Sequence, residues 1–568
     1  MKKIILFIIC ILSFSQFVCA QRKQKRKTPV QKTTQPSQNF GDTSRPKTVT
    51  VTSAFKPTLR PASKINFSAE APPPDSTRPT LQYNVPEQNL FFSYQPSVLQ
   101  PLAVSIDTSL HWENKNFIKV GYGNYTTPYL QAGFSLGDGE KSIINIHAKH
   151  VSSNGNSLSE KFSKTNLEAI GIFNPNENVE WSGKVFFDVN NQYQYGFQPD
   201  TLKFSSDDLR QRFTTFGASA SLRNKTINNY GISYNPSISI DEFSDNKSGK
   251  ETNFSLNAPL SKTFGEKFAF NLGLTANLTN YTSDSAGTIN NNLIALTPSV
   301  EFKTPNVKLV AGFTPSWDNS NFALLPNFSA EAKLQDEKFI LLAGWVGYYN
   351  RTTYESLASI NPWLQQPKIL LDTKITEQYA GFKGSAGTHV TYNAKASYLQ
   401  FTNQPLFVND TISAKSFEIV NESSMKDIRL HGEIGYTFSE KFSLHGGATI
   451  NQYSNLKDNE KAWGLLPIEL NGALRWNIFK DVLLKSDVFF WDGAQYRNKS
   501  LESQKLSPAV DLNAGVEFPI LPKFNFWIQF NNILNDRYER WNQYPVLGFN
   551  AVVGVRYSFS QVANAITK

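Results

Sequence analysis

From about residue 116 to residue 559 the sequence alternates apolar and polar residues, in segments of ten to twenty residues separated by turn-forming residues. In the segment 524–531, phenylalanine or isoleucine occupies every second position, and asparagine or glutamine occupies most of the others. A period of two residues is typical of a β-strand whose two faces meet different surroundings. The pattern therefore predicts an antiparallel all-β body, which is either a soluble sandwich or a membrane barrel whose apolar face contacts lipid.

The lengths of the connections distinguish these two architectures, because short turns and longer connections alternate along the chain. The short turns are 138–140, 175–178, 224–229, 261–266, 304–306, 335–337, 385–388, 439–441, 478–480 and 519–522, and the longer connections are 151–164, 191–210, 242–251, 282–291, 317–324, 350–375, 404–415, 454–461, 494–506 and 536–546. Outer-membrane barrels have short periplasmic turns and long extracellular loops, whereas a sandwich gives no reason for such sorting. The sequence therefore predicts a transmembrane antiparallel β-barrel over residues 116–559, with 22 strands if a first hairpin reverses at 126–128 and 20 strands without it.

The N-terminus has the parts of a secretory signal peptide. Two lysines precede an apolar stretch over residues 4–18, and small residues stand before a cut after Ala20. The apolar stretch is shorter than the ~20 residues that a membrane-spanning helix needs. We expect residues 1–20 to be a signal peptide, with a lipoprotein cut before Cys19 as the alternative.

Both cysteines, Cys10 and Cys19, lie within this signal, so the exported chain would have no disulfide, cysteine ligand or cysteine nucleophile. The six histidines do not follow a metal-binding spacing, and no GxSxG, GxxxxGK or GxGxxG element occurs at a strand-to-helix junction. We therefore expect no enzyme activity, no cofactor and no metal site. The expected outer-membrane location also excludes nucleic acid as a partner.

Residues 21–115 are predicted to form a basic, Pro-rich periplasmic tail that lacks the apolar density to fold alone. Residues 21–64 contain eleven lysines and arginines against one aspartate, and the chain after them carries a net charge of −3. The first basic run consists of Arg22, Lys23, Lys25, Arg26 and Lys27. This run either binds anionic phospholipid headgroups, or binds an acidic partner, or remains solvated.

Five tryptophans fall near predicted strand ends: Trp463, Trp476, Trp491, Trp527 and Trp541. Tryptophan is enriched at membrane interfaces, so we expect these residues to anchor the barrel there. For Trp541, and for Trp363 in another long connection, stacking on a bound ligand is the alternative.

The end of the chain resembles the closing hairpin of TonB-dependent receptors. The residues that carry the resemblance are Asn532 to Tyr538 (NILNDRY), Tyr544-Pro545 with Gly548, and Gly554 to Phe559 (GVRYSF); a second segment, Ile375 to Gly384 (ITEQYAGFKG), is similar to a mid-barrel strand of the same family. The resemblance implies an outer-membrane barrel with a transport or receptor role, for a substrate that it does not name. It also implies that Tyr557 and Phe559 close the last strand and are recognised by the barrel-assembly machinery, before a C-terminal extension at 560–568.

Transporters of this family carry a plug domain, but residues 21–115 lack the strands of a recognisable plug, and a partial plug is the most they could form. The segment Thr48, Val49, Thr50, Val51 and Thr52 resembles either the segment that pairs with TonB or the strand that opens a plug. The resemblance thus implies outer-membrane lipid and a periplasmic or TonB-like protein as partners. A second interpretation is a structural or envelope-assembly barrel whose tail recruits periplasmic proteins.

Overall fold

The computed structural model describes residues 115–560, apart from residues 140, 156–159, 200, 229, 440 and 480. The predicted signal peptide, the basic tail with its segments at 22–27 and 48–52, and nearly all of the C-terminal extension lie outside the described residues. No helix in the described part of the chain is long and apolar enough to cross a membrane.

The described chain consists almost entirely of β-strands. They are β1 (Lys115–Gly123), β2 (Thr127–Gly137), β3 (Ser142–Ser153), β4 (Phe162–Asn176), β5 (Val179–Tyr193), β6 (Arg210–Asn224), β7 (Ile232–Tyr234), β8 (Ser237–Asp245), β9 (Lys250–Phe264), β10 (Phe268–Ser283), β11 (Gly287–Lys303), β12 (Val307–Asp318), β13 (Asn321–Gln335), β14 (Phe339–Asn350), β15 (Thr373–Ala386), β16 (Val390–Thr402), β17 (Gln404–Asn409), β18 (Phe417–Glu422), β19 (Met425–Phe438), β20 (Phe442–Ser454), β21 (Ile468–Phe479), β22 (Val482–Trp491), β23 (Gln495–Arg497), β24 (Ser503–Lys505), β25 (Ala509–Leu521), β26 (Phe524–Asn531), β27 (Glu539–Trp541), β28 (Tyr544–Pro545) and β29 (Asn550–Ser560). Two short helices, α1 (Ser206–Leu209) and α2 (Tyr354–Ile360), lie in loops.

Twenty-three of these strands form one antiparallel sheet that closes on itself, because β1 pairs with both β2 and β29. The short strands β7 and β8 both pair with β9 and together form one wall segment, so the closed barrel has 22 strands. The predicted first hairpin is present and reverses at residues 124–126. Closure gives every strand two neighbours, so that backbone N–H and C=O groups can pair even where lipid offers no partner.

The two faces of the wall differ as the alternation predicts. On β29, Val553 and Val555 are 45% and 38% exposed on the outer surface, whereas Arg556 points into the lumen and bonds the Glu517 carboxylate at 2.9 Å. Inward-facing ion pairs recur around the wall, for example between Lys395 Nζ and Glu377 Oε1 at 2.8 Å. An apolar outer surface and a polar lumen are the two faces of a barrel in an outer membrane.

The predicted alternation of connection lengths holds only for part of the barrel. Three connections predicted to be long, at 242–251, 282–291 and 317–324, are tight hairpins of two to four residues, because strands β8 to β13 continue almost to the turn. Asn319 and Gly287 adopt positive φ in two of these hairpins, a conformation that asparagine and glycine accept readily. The long loops are therefore confined to the rest of the rim.

The interface role predicted for the tryptophans is wrong for four of the five. Trp463, Trp491, Trp527 and Trp541 are at most 4% exposed, and only Trp476 stands on the outer surface. Trp463 and Trp541 lie in the long loops, whereas Trp491 and Trp527 lie on wall strands and are covered. The sequence pattern did not distinguish outward positions from inward positions or from loop positions that become covered.

The last strand, β29, carries two aromatic residues near its C-terminal end. Tyr557 and Phe559 lie on the outward side of β29 with their rings stacked at 5.4 Å, and Phe524 of β26 packs on Tyr557 at 4.8 Å. These rings stand at the end of the barrel that has short turns. They form a local aromatic band of the kind that outer-membrane barrels place at the membrane interface.

Candidate functional site: the extracellular cap

The long loops at one end of the barrel fold against each other into a cap. They are the connections 194–209, 351–372, 403–424, 455–467, 492–508 and 532–549. The most extensive buried apolar cluster in the described chain draws most of its residues from these loops and the rest from the upper ends of β6, β8 and β10. Because outer-membrane barrels have their long loops outside the cell, this end is the extracellular one.

An aromatic stack lies at the centre of the cap. The rings of Trp363 and Tyr544 are stacked at 4.0 Å between centroids, and Tyr195 packs against both at 6.1 and 4.8 Å. Phe417 and Trp541 extend the cluster, with 5.4 Å between their rings. These residues come from four loops that leave the wall after β5, β14, β16 and β26, so the cluster joins widely separated parts of the rim.

Hydrogen bonds between loops reinforce the aromatic stack. The Trp363 indole N–H donates to the Tyr193 carbonyl at 3.1 Å, and the Tyr195 hydroxyl donates to the Pro545 carbonyl at 3.0 Å. The Tyr544 hydroxyl donates to the Lys415 carbonyl. These bonds satisfy polar groups inside an apolar cluster, and an unsatisfied group there would cost about 1–3 kcal/mol.

The loop 351–372 is also anchored to a distant part of the wall. It leaves the barrel after β14, yet the Glu251 carboxylate of β9 accepts the backbone N–H groups of Tyr354 and Glu355 at 2.5 and 3.1 Å. These are the free N–H groups at the start of α2, where a carboxylate is stabilising. The Tyr354 hydroxyl donates to Asp245 at 2.9 Å, so α2 is held from both sides.

A second anchor fixes the two ends of the same loop. The Asp372 carboxylate accepts the Thr352 N–H and the Asn291 side-chain amide, both at 2.8 Å. Next to it, the Arg351 guanidinium donates to the Thr279 hydroxyl at 2.6 Å and to the side-chain amide oxygen of Asn253 at 2.8 Å. The loop therefore rests on side chains of β9, β10 and β11.

Two carboxyl groups of loop 351–372 are protonated more easily than usual. Burial, the facing Asp241 carboxylate and the nearby Glu251 together raise the pKa of Glu355 to about 8, and burial has the largest effect. Burial also raises the pKa of Asp372 to about 6. At neutral pH the docked loop therefore holds a proton on Glu355 that a solvated loop would release, whereas Asp372 holds its proton only at lower pH.

The family-like residues of the C-terminal hairpin build one edge of this cap. Asn532 and Asn535 adopt positive φ, and the Asn532 side-chain amide donates to the carbonyls of Asp536 and Leu547, both at 2.8 Å. The Tyr538 hydroxyl donates to Asp511 at 2.7 Å. The sequence resemblance identified these positions, but it gave no indication that they support the central aromatic stack.

The residues predicted from the sequence lie in different parts of the structure and do not form one site. Trp363 and Trp541 lie in long loops as predicted, but both are buried in the cap and neither ring is presented to a ligand. Tyr557 and Phe559 stand at the opposite end of the barrel. Residues 22–27 and 48–52 lie outside the described residues. The anchors Glu251, Asp372 and Arg351 were missed, because a carboxylate or guanidinium in an alternating strand or loop has no distinguishing sequence signal.

The chemistry of the cap is that of a packed and hydrogen-bonded closure. Among the described residues, no group of three or more histidine, cysteine, aspartate or glutamate side chains is arranged to hold a metal ion. The buried acids of the cap bond to backbone N–H groups and neighbouring side chains, as Glu251 and Asp372 do. Such an arrangement holds the loops in place.

Comparison with known proteins gives a structural relationship only. No protein-family model matches the chain, and no curated protein matches its sequence. The structure is similar to that of the FrpB iron transporter from Neisseria meningitidis, with a TM-score of 0.60 and 10% identity over 79% of this chain and 82% of that chain. It is also similar to a mutant of the ferric enterobactin receptor PfeA from Pseudomonas aeruginosa, with a TM-score of 0.59 and 10% identity over 78% of this chain and 80% of that chain.

The chain has the barrel fold of TonB-dependent receptors. A third match, the siderophore receptor PirA from Acinetobacter baumannii, has a TM-score of 0.59 and 9% identity over 78% of this chain and 80% of that chain. The receptor-like fold that the closing hairpin implied is therefore confirmed. At this level of identity, the likeness concerns the fold and leaves the solute open.

Proposed function

We propose that this protein is an outer-membrane receptor or transporter whose extracellular cap controls the passage of a polar solute into the barrel. The observation that carries the proposal is the stack of Trp363 on Tyr544, which joins loops from separate parts of the rim. A solute that enters from outside must pass these loops. The polar side chains of the lumen wall, such as Lys395 and Glu377, would favour a polar solute over an apolar one.

The contacts of the cap support gating by loop movement. An aromatic pair adds about 0.5–1.5 kcal/mol beyond the burial of its area, so one stack holds the loops without making the closure permanent. The anchors at Glu251 and Asp372 are hydrogen bonds that can be exchanged for water. The named neighbours are receptors and transporters for iron or its chelates, and this supports a transport role here without assigning the solute.

The test measures access to the lumen from outside the cell. Gln192, on β5 beneath the cap, is 2% exposed, and no cysteine follows residue 19, so Gln192→Cys provides a unique thiol. We expect Trp363→Ala to increase labelling of this thiol by an impermeant maleimide on whole cells by about tenfold, which corresponds to ~1.4 kcal/mol. Trp476→Ala removes an outward-facing ring of the same type and should leave the rate unchanged.

Equal labelling of all three proteins would contradict gating by the cap. That result would favour the second interpretation, a structural or envelope-assembly barrel, because a platform needs no access to its lumen. Measured conductance in planar bilayers gives an independent readout, since a barrel whose cap gates a pore should conduct more after Trp363→Ala.

We also propose that residues 48–52 pair as an added strand with a TonB-like periplasmic protein. Strand addition depends on main-chain hydrogen bonds, so Val51→Ile should be tolerated, whereas Val51→Pro removes a donor and should abolish binding. Co-purification with the periplasmic partner measures the difference. The basic run at 22–27 is proposed to bind anionic lipid, and Phe559 to be recognised by the barrel-assembly machinery.

A further inference from the structure

An open pocket of about 760 Å³ lies on the extracellular rim beside the cap. It is lined by Phe204, Asp207, Asp208, Arg210, Asn246, Lys247 and Lys415. The lining residues come from the loop 194–209, the start of β6, the hairpin between β8 and β9, and the loop 403–424. The pocket therefore lies where the wall meets the cap, and the proposed gate at Trp363 does not include it.

The strand alternation directs one side of this pocket towards the membrane. On β6, Phe216 is 55% exposed on the outer surface, and Arg212 and Arg210 follow it on the same face. The six residue steps from Phe216 to Arg210 climb about 15 Å, given a rise of ~3.3 Å per residue and a tilt of ~40°. Next to them on β8, Ile240 is 53% exposed on the outer surface, and Asn246 lies in the hairpin that follows β8.

The outward face thus changes from apolar to basic where the apolar band ends. Such a band is ~25 Å tall in outer-membrane barrels. Phe216 and Ile240 belong to it, and Arg212 and Arg210 stand above it. Cations at this height face the headgroups of the outer leaflet.

The three cations of the pocket are not held in close ion pairs with the carboxylates that also line it. Among the described residues, no carboxylate oxygen lies within 4.0 Å of Arg210, Lys247 or Lys415. Lys247 and Lys415 line the same space. Burial lowers the pKa of Lys415 and the like charge of Lys247 lowers it further, whereas the carboxylates of Asp208 and Asp410 act in the opposite direction. The cations Arg212 and Lys250 lie close by on the outward face.

Three carboxylates oppose this cluster, and their placement restricts the ligand. Asp207 and Asp208 line the pocket, and Glu242 stands on the outward face of β8. Asp208 already accepts the Ser205 hydroxyl at 2.7 Å, which caps α1. The pocket thus offers carboxylate oxygens that can accept hydrogen bonds next to cations that form no close ion pair. This combination suits a ligand that carries both an anionic group and hydroxyl groups. The Phe204 ring, with Lys415 Nζ 4.5 Å from its centroid, adds an apolar surface.

We propose that this rim pocket binds the phosphorylated sugar headgroup of an outer-leaflet glycolipid. Arg210, Lys247 and Lys415 hold the phosphate, since guanidinium and ammonium groups are the usual phosphate ligands of proteins. Asp207 accepts hydrogen bonds from the sugar hydroxyls, and the acyl chains continue down the wall past Phe216 and Ile240. The Asn246 side chain bonds the backbone of Arg210 and Arg212 and so fixes the edge of the pocket. The proposal does not depend on the transport role.

The test measures binding of the purified full-length chain to vesicles. One set contains lipid A, a phosphorylated glucosamine disaccharide lipid, and the other contains the same lipid without its phosphates. We expect at least tenfold tighter binding to the phosphorylated form. The triple variant Arg210→Gln, Lys247→Gln, Lys415→Gln should lose that preference. The control Lys225→Gln, Lys267→Gln, Lys303→Gln removes three cations at the periplasmic end and should retain it.

Further controls test whether charge, folding or a free sugar phosphate explains the result. The charge-conserving variant Arg210→Lys, Lys247→Arg, Lys415→Arg should bind like the original chain, and heat-modifiable migration on a gel checks that each variant is folded. Equal binding to both lipids, or an unaffected triple variant, would overturn the site. If glucose 6-phosphate displaces the lipid at concentrations as low as those of the lipid itself, the ligand of this pocket is a free sugar phosphate and the lipid proposal is wrong. Access of maleimide to Gln192→Cys tests the gate separately.

Discussion

The indole ring of Trp363 and the phenol ring of Tyr544 stack at 4.0 Å, although one follows β14 and the other follows β26. The two strands stand on different sides of the 22-stranded wall. Their contact joins loops that the barrel itself keeps apart. The following predictions concern this closure and the barrel that supports it.

Glu251→Ala should loosen α2 without unfolding the barrel. The Glu251 carboxylate accepts the N–H groups of Tyr354 and Glu355, and its loss leaves buried donors unsatisfied at about 1–3 kcal/mol. Trypsin should then cleave faster after Lys368, which is exposed in the same loop. Glu418→Ala, at an exposed site of the cap, is the matched control. Unchanged cleavage in Glu251→Ala would show that this anchor does not hold the loop.

Docking of the cap should weaken as pH rises. The pKa of Glu355 is raised from its ordinary value of 4.5 to about 8, so the docked loop retains a proton that the undocked loop releases. Stabilisation is complete below about pH 4.5 and is lost as pH rises towards about 8. Asp372, with a pKa of about 6, contributes only to the lower part of this range.

Glu355→Gln should remove the pH dependence between about pH 6 and pH 8, because the amide resembles the neutral acid. The measurement is maleimide labelling of Gln192→Cys with and without Glu355→Gln, taken as a ratio at each pH so that thiol ionisation cancels. If the ratio of the two labelling rates stays constant from pH 6 to pH 8, the carboxyl pair of Glu355 and Asp241 does not control the docking of the cap.

The orientation of the barrel predicts which turns are reached from outside. Lys368, in the cap, and Gln335, in a short turn at the other end, are both exposed. Single cysteines at these two positions should differ, with only Lys368→Cys labelled by an impermeant maleimide on whole cells. Lys368 is preferable to Gln365, whose side-chain amide donates to the Ser416 hydroxyl at 2.8 Å. Equal labelling of both positions would contradict the topology.

The assignment of faces predicts the cost of added charge. Ile434 is 57% exposed on the outer side of β19, and Ile434→Arg should cost ~2–4 kcal/mol near the midplane of the membrane. His431 faces the lumen on the same strand, so His431→Arg should cost less. Heat-modifiable migration in increasing urea compares the two. The reverse order would mean that the faces are exchanged, as a one-residue slip would cause.

A glycine on the closing strand is unsuitable for this comparison. Gly554 faces the lumen, as the alternation on β29 predicts, but a Cβ atom there would lie 2.0 Å from the Val120 carbonyl oxygen and 2.8 Å from the Trp527 ring. The lumen is tightly packed at this point. Any side chain at Gly554 would therefore be costly for a reason unrelated to lipid.

The sequence by itself determined the wall of this protein. Alternation is a local property, because successive side chains of a strand point to opposite faces, so Val553, Val555 and Arg556 could be assigned to their sides before any partner strand was known. Turn residues such as Asn319 mark the strand ends, and the number of segments gave the 22 strands. The family-like closing hairpin added the receptor-like fold.

Only the tertiary structure decided what lies above that wall. The stack of Trp363 on Tyr544, the hold of Glu251 on α2 and the basic pocket around Lys415 each combine residues from loops or strands that are distant in sequence. Loops have no period that reveals their partners, and a buried tryptophan has the same local sequence signal as one at the membrane interface. Their burial depends on which loops meet across the barrel mouth, and that is fixed only when the sheet closes.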